Sequence, residues 1–445
     1  MHTKIWSDHD SVSYPPSAMD FLPVERLRAL QLSRLKATLQ RTYEKVKHFR
    51  HKCEEANVRP SDLHSLEDLA KFPFTKKSDL RDTYPFGLFA SDMTDVIRLH
   101  ASSGTTGKPI VVGYTQNDID IWANATSRGL ACGGLHKGDV IQNAYGYGLF
   151  TGGMGLHYGA EALGATVVPI SGGNTERQVM LMQDFGTNAV SCTPSYFLHV
   201  IETAKSMNVD LRQLPIRLGF FGAEPWTDEM RQLIESEAGI QALDIYGSSE
   251  ITGPGVGCMC LAKEGMHIFE DHFYPEIIDP DTLQPLPDGR EGELVFTTLT
   301  KEAFPMIRYR TRDITHIITE RCSCGRTLRR IARIWRRSDD MFIIRGVNVF
   351  PSQIETGLLS VPGVTPNYRI ILRRKGGLDQ LIVEVEISAD AFTDQVKDLE
   401  QLHKRIAHAV ERIINIRAEI HLVEANSLPR SEGKVKRLYD ERNLQ

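Results

Sequence analysis

Apolar positions along the chain change their period several times, and each change marks a new kind of element. Leu32, Leu35, Leu39, Tyr43 and Val46 recur at helical spacing, which predicts an amphipathic helix packed on the main body. From residue 96 to 168 short β-rich runs alternate with Gly-rich turns and helical stretches, and similar units follow at 189–192, 218–222 and 243–246. Strand, turn and helix in that order predict an α/β domain whose ligands bind at the strand ends. Around 293–296 and 315–318 the β-runs come without long helices, predicting a mainly antiparallel, β-rich lobe that closes the large domain. Beyond residue 339 the pattern changes again. Strands are expected at 368–373 and 381–387, the second alternating Leu381, Val383, Val385 and Ile387. A helix with Leu399, Leu402, Ile406, Val410 and Ile413 on one face and a last strand near 420–423 complete a small α+β unit. The expected fold class is α/β, with a large multi-lobed N-terminal domain over 1–338 and a small α+β C-terminal domain over 339–445.

With 445 residues, two or three domains are the expectation. A hydrophobic share of 41% against 24% charged residues is that of a folded protein with a sizeable core. Basic and acidic residues number 52 and 57, a net charge of −5 without long runs of one sign, which argues against a nucleic-acid partner. No stretch approaches the ~20 continuous apolar residues of a membrane span, and residues 1–16 are polar, so a cytoplasmic location without membrane attachment is expected.

Seven cysteines in this length argue against a disulfide scaffold, and four of them form two CxC pairs, Cys258/Cys260 and Cys322/Cys324. Cys260, His267, Cys322 and Cys324 supply a Cys3His set suited to structural zinc, with Cys258 as the alternative to Cys260. Strand alternation leaves that choice open, because positions i and i+2 share a face.

Residues 101–109 read ASSGTTGKP. Two glycines, Gly104 and Gly107, permit close backbone approach, while Ser102, Ser103, Thr105, Thr106 and Lys108 offer hydroxyls and a cation. That combination suits a polyphosphate. It is not the GxxxxGK[ST] pattern, because the glycines are too close together and proline follows the lysine.

SSGTTGKP resembles the phosphate-binding loop of the adenylate-forming superfamily. Further motifs resemble the phenylacetate–coenzyme A ligase family in particular: YGYGLFTGG at 145–153, FGAEPW at 221–226, EDHFYPEIIDP at 270–280, FTTLTKEA at 296–303, RYRTRD at 308–313 and IIRGVNVFPSQIE at 343–355. The resemblance runs from about residue 27 to the C-terminus.

The resemblance implies roles residue by residue. Tyr246 would stack on adenine and Glu250 would help to hold Mg²⁺ against the phosphates, with Asp313 accepting the ribose hydroxyls. Gly222 and Ala223 would bring bare backbone beside nucleotide and acyl group, and Glu224, Asp244 and Gly247 count among the ATP-binding positions. Arg337 would touch the nucleotide, Asp339 would be the hinge of a mobile C-terminal domain, and Lys434 in LPRSEGKVKR would be the catalytic lysine. Ser248 stands where relatives often carry Leu or Met, and Arg336 where the superfamily usually has glycine. Tyr145, Phe150, Gly222 and Ala223 would form the pocket for a flat, uncharged aromatic acid. The family's own cysteine lies at Cys260, which favours it over Cys258 as the zinc ligand.

The activity so implied is an ATP-dependent ligase joining an aryl or arylacetic acid, phenylacetate first among them, to coenzyme A, with AMP and pyrophosphate released. The rival is an aryl acid AMP ligase that loads a carrier protein in natural-product biosynthesis, which shares every nucleotide motif. A scaffold without catalysis is disfavoured by intact Lys434, Glu250 and Asp313. A homodimer is compatible with either activity.

Overall fold

A computed structural model describes residues 17–102, 109–334, 336–338, 340–345, 347–375, 378–391, 396–431 and 434–442. Ser103, Gly104, Thr105, Thr106, Gly107, Lys108 and Asp339 lie outside the described residues.

The long helix Val24–Lys45 forms because Leu27, Leu35 and Leu39, with Gln31, Thr38 and Thr42, line one buried face at spacings of three and four. Buried Gln31 is satisfied by donating to the Glu270 carbonyl at 2.9 Å. The helix Gln116–Cys132 starts at a reciprocal cap in which Thr115 Oγ1 accepts from the Asp118 N–H and the Asp118 carboxylate accepts from the Thr115 N–H. The same carboxylate accepts the N–H groups of Glu302 and Ala303 at 2.6 and 2.9 Å, so one helix start also fixes the FTTLTKEA segment.

Among the described residues, a nine-stranded sheet runs in the order Ile317–Ile318, Arg330–Ile331, Met266–Ile268, Gly253–Met259, Gln241–Ser248, Leu218–Phe221, Ala189–Cys192, Val140–Asn143, Thr166–Val168. The last five strands pair in parallel through helical crossovers, and the rest pair antiparallel. Gln241–Ser248 is the strand where the two halves meet. A four-stranded antiparallel sheet, Phe273–Ile278, Gly292–Thr298, Tyr309–Thr315 and Arg336–Arg337, forms the expected β-rich lobe. Toward the C-terminus, Glu419–Val423, Leu378–Ile387, Val364–Lys375 and Leu438–Asp440 form a second four-stranded sheet in that order. With the helices Pro351–Leu359 and Val396–Ile414 it encloses its own core of Ile354, Leu358, Ile370, Val383, Ile406 and Val410. The protein is thus a mixed α/β structure with a large N-terminal domain and a separate C-terminal one. No described helix is long and apolar enough to cross a membrane.

Two boundaries differ from the sequence pattern. The strand before the Gly-rich loop begins at Arg98 and runs into Ser102 itself, because its partner Ile110–Tyr114 pairs register by register up to Ser102. The run expected at 243–246 extends from Gln241 to Ser248, carried on by pairing with Gly253–Met259 across a register shift.

The large domain is pinned by a buried charge cluster. Arg128, 3% exposed, pairs with Asp20 at 2.7 Å and Asp271 at 3.0 Å, and Arg326 reaches Asp20 at 3.3 Å. These residues join the short N-terminal turn, the Gln116–Cys132 helix and the loop after Cys324. Truncating the cation removes the charge shared by two buried carboxylates, leaving Asp20 with Arg326 and Asp271 with His272 and Arg34. Arg128→Ala is expected to lose about 3–5 kcal/mol of stability, read as a lowered urea midpoint with Arg128→Lys falling in between.

Candidate active site

The site lies at the C-terminal ends of the parallel strands, where an open α/β sheet leaves its crevice. Gly222 and Ala223 follow Leu218–Phe221, and Tyr145 follows Val140–Asn143. A Cβ on Gly222 would stand 2.2 Å from the Ile245 carbonyl oxygen, and one on Gly247 only 1.8 Å from that of Gly253. Both positions therefore need glycine to bring neighbouring backbones together. Ala223 adopts φ +70°, a conformation strained for an L side chain, at the turn of FGAEPW.

Asp313, 6% exposed, accepts from the Tyr246 hydroxyl at 2.7 Å and from Arg337 at 2.7 Å. Arg310 and Arg312 turn instead to buried Glu293, so a salt bridge from either of them is not what occupies Asp313. Arg337 also donates to the Thr311 carbonyl at 3.1 Å. The Tyr246 ring lies over Phe296, with centroids 5.9 Å apart.

Lys434 comes from the C-terminal domain, and its ammonium stands 6.0 Å from the Phe150 ring centroid. Its side chain is exposed in the cleft. Even so, its pKa is lowered, chiefly by desolvation of the ammonium and next by the charge of Arg337, while Glu250 and Glu224 oppose the shift. Lys434, Phe150, Glu250, Glu224 and Arg337 thus occupy one neighbourhood. Glu250 is 8% exposed, and its carboxylate has no hydrogen-bond or ion partner among the described residues.

Other positions are differently engaged. The Tyr145 hydroxyl is buried and donates to the Cys192 carbonyl at 2.6 Å. Asp244 accepts from the Trp226 indole and from Arg333, so both its oxygens are taken within the protein. Glu224 accepts the Ser195 N–H at 2.8 Å and the Val435 N–H at 3.3 Å, joining a helix start to the lysine loop. Burial pushes the Glu224 carboxyl up despite those donors. Ser102 closes the strand Arg98–Ser102, which the bond from Ala101 N–H to the Leu149 carbonyl ties to the aromatic segment.

The Cys3His set assembles. Cys260, His267, Cys322 and Cys324 present ligand atoms all within 4.8 Å of one another. Cys260 Sγ is 3.5 Å from Cys322 Sγ, and Cys324 Sγ is 3.3 Å from His267 Nε2. His267 Nδ1 lies 3.3 Å from the Leu328 carbonyl, a partner that leaves Nε2 free to face the thiols. The strand Gly253–Met259 ends before Cys260, which turns into the cluster, while the Cys258 thiol donates to the Met259 carbonyl.

The sequence singled out no role for Lys301, the lysine of FTTLTKEA. It is 6% exposed and donates to the Ile251 carbonyl at 2.8 Å, holding the segment that follows Glu250. Cys132 also went unnoticed beside the metal set, where it packs with Cys260 and Cys322.

Over 435 residues the chain is 52% identical to the phenylacetate-coenzyme A ligase of Aromatoleum evansii, covering 96% of this chain and 98% of that one. This chain belongs to the phenylacetate–coenzyme A ligase family. The family's Escherichia coli (strain K12) member is 52% identical over 423 residues, 95% of this chain and 96% of that one. Residues 19–299 match the AMP-binding enzyme family, and 346–442 match the AMP-binding enzyme C-terminal domain. Among solved structures, 2-hydroxyisobutyryl-CoA ligase in the postadenylation state with 2-HIB-AMP superposes with a TM-score of 0.91, at 30% identity over 96% of this chain and 92% of that one. The same enzyme with 2-HIB-AMP and CoA in the thioesterification state gives 0.72, at 30% identity over 100% of this chain and 97% of that one. Sequence identity is equal in the two comparisons, and this phenylacetate–coenzyme A ligase family member superposes more closely on the former state.

Burial lowers the Lys301 ammonium from the ordinary lysine value of 10.5 to about 8. Between those values the unfolded chain keeps a proton that the folded chain has released, so stability rises with pH there, whereas below it the cost of burying the charge is fully present and independent of pH. Relative to Lys301→Met, the native protein is expected to gain about 3 kcal/mol from pH 8 to 10.5. Paired urea titrations across that range measure it.

Proposed function

We propose that this chain is an AMP-forming acid–thiol ligase that activates phenylacetate with ATP and transfers the acyl group to coenzyme A. Family membership over nearly the whole chain supports the reaction class. The observation that carries the chemistry is the Lys434 ammonium held 6.0 Å from the Phe150 ring, with Glu250 and Arg337 nearby. A carboxylate whose aromatic end rests toward Phe150 directs its oxygens to Lys434.

In the first step a carboxylate oxygen attacks the α-phosphorus of ATP, and the bond to pyrophosphate breaks. Lys434 stabilises the charge that builds on the phosphorane oxygens. Asp313 receives the ribose hydroxyls and Tyr246 flanks the base, while Gly222, Ala223 and Gly247 keep the backbone close enough for a flat ligand. The loop 102–108 holds the phosphates. Glu250 fits Mg²⁺, because its carboxylate is mostly buried and unpartnered among the described residues; when bound, that ion offsets phosphate charge.

In the second step the thiol sulfur of coenzyme A attacks the acyl carbonyl, AMP leaves, and the thiol proton passes to solvent. The C-terminal domain, 339–445, turns about Asp339 against the 1–338 domain between the steps and withdraws Lys434.

The test is pyrophosphate release with a panel of acids, with and without coenzyme A. Phenylacetate is expected to give the highest kcat/KM, with a thioester product. Acyl-adenylate that forms but is never passed to coenzyme A would point to a carrier-protein acceptor instead. Lys434→Ala is expected to lose pyrophosphate formation by about 10²–10³ while still converting supplied acyl-adenylate to thioester. Equal loss in both steps would remove the lysine from the mechanism.

Cys260, His267, Cys322 and Cys324 fit structural zinc, being a compact soft-donor set with an oriented imidazole. A closed set leaves no position for substrate, so the metal would support folding of its loop alone. Elemental analysis is expected to find about one zinc per chain, kept in Cys258→Ser and lost with reduced thermal stability in Cys322→Ser. Metal-free protein of unchanged stability would refute this.

A further inference from the structure

Arg430 lies four residues before Lys434, in the loop that delivers it. Its guanidinium grips Glu386 of its own domain through two bonds of 2.8 and 2.9 Å, and Glu386 is fully buried. The Leu428 N–H donates to the same carboxylate at 2.7 Å. Arg430 therefore moves with the C-terminal domain. Its remaining edge crosses the cleft, where Nε donates to Glu202 at 3.0 Å. Glu202 belongs to the helix Pro194–Ser206 of the large domain and accepts a second bond across the cleft, from Asn367 at 2.8 Å. His199 Nδ1 is 3.7 Å away on the same helix. Beside these contacts a cavity of about 50 Å³, lined in part by Ser195, His199, Asn367 and Arg430, keeps the interface from close packing. Polar contacts, more than apolar packing, hold the domains together at this point.

We infer that Glu202 is a positioning residue for adenylation: it latches Arg430 and Asn367, and through them the lysine loop, in the arrangement seen here. This rests on the ligase reading proposed above. The arrangement matches the postadenylation state of a relative and departs from its thioesterification state, so a contact made across this cleft belongs to one half of the reaction. A group that touches no substrate can then act on one step only, by setting the population of the competent arrangement. Glu202 is the side to test. Removing Arg430 would leave Glu386 buried without its cation and unsettle the whole C-terminal domain. Glu202 is half-buried at the domain surface and can lose its charge without that penalty.

The experiment compares the native enzyme with Glu202→Gln and Glu202→Asp in two separated reactions. These are pyrophosphate release from ATP and phenylacetate without coenzyme A, and thioester formation from supplied phenylacetyl-adenylate and coenzyme A. Glu202→Gln is expected to slow the first about tenfold and to leave the second unchanged or faster, with Glu202→Asp between. Hydrogen exchange gives a readout free of activity. The Val435 N–H, which donates to Glu224 across the cleft, is expected to exchange faster in Glu202→Gln. Equal slowing of both steps, or an unchanged first step with unchanged exchange, would overturn the latch. Should the native enzyme release no pyrophosphate with phenylacetate while the exchange contrast persists, the substrate reading falls and the latch stands.

Discussion

The carboxylate of Asp313 is where the separate pieces of this protein are made to agree. One oxygen takes the hydroxyl of Tyr246 from the strand at which the parallel and antiparallel halves of the large sheet meet. The other takes Arg337, from the strand just before the chain passes into the C-terminal domain. Asp313 itself belongs to the β-rich lobe. Charge-assisted bonds of this kind are about twice as strong as neutral ones, and they are directional. Three elements far apart in sequence are thus brought to a common point before any ligand arrives. A nucleoside bound here would share acceptors that already orient the wall of its pocket.

The cleft between the domains is closed by a different kind of contact. Glu224 holds the Val435 N–H, Thr356 faces Glu229, and Arg430 and Asn367 reach Glu202. Leu359 adds an apolar contact against the core of the large domain. Interfaces of this polar sort permit relative motion, because water replaces each lost partner at small cost. The contrast with the Arg128 cluster is one of burial: those carboxylates have no water waiting for them.

Much of this was legible in the sequence. The order of strands and helices gave the α/β class, and the alternation at Leu381, Val383, Val385 and Ile387 marked the strand Leu378–Ile387. The short strand Leu438–Asp440 was not foreseen, since three residues carry no period. The strand expected at 243–246 runs on to Ser248, because Gly247, which reads as a turn, serves close approach of the Gly253 backbone. Alternation could not decide between Cys258 and Cys260, because the answer lay in where the strand ends. Glu202 and Arg430 stand 228 positions apart, with nothing in either neighbourhood to announce the other. Side chains that meet only when two domains close leave no local pattern to read.

The edges of the C-terminal sheet have a mechanical consequence. The chain leaves the strand Glu419–Val423 at one edge and returns as Leu438–Asp440 at the opposite edge. The segment bearing Lys434 must therefore cross the full width of the sheet, about 14 Å for three strand spacings. It is a strap anchored at both ends by strand pairing, and partway by Arg430 on buried Glu386, rather than a free tether. The loop that delivers the lysine is therefore geared to the rotation of the body beneath it.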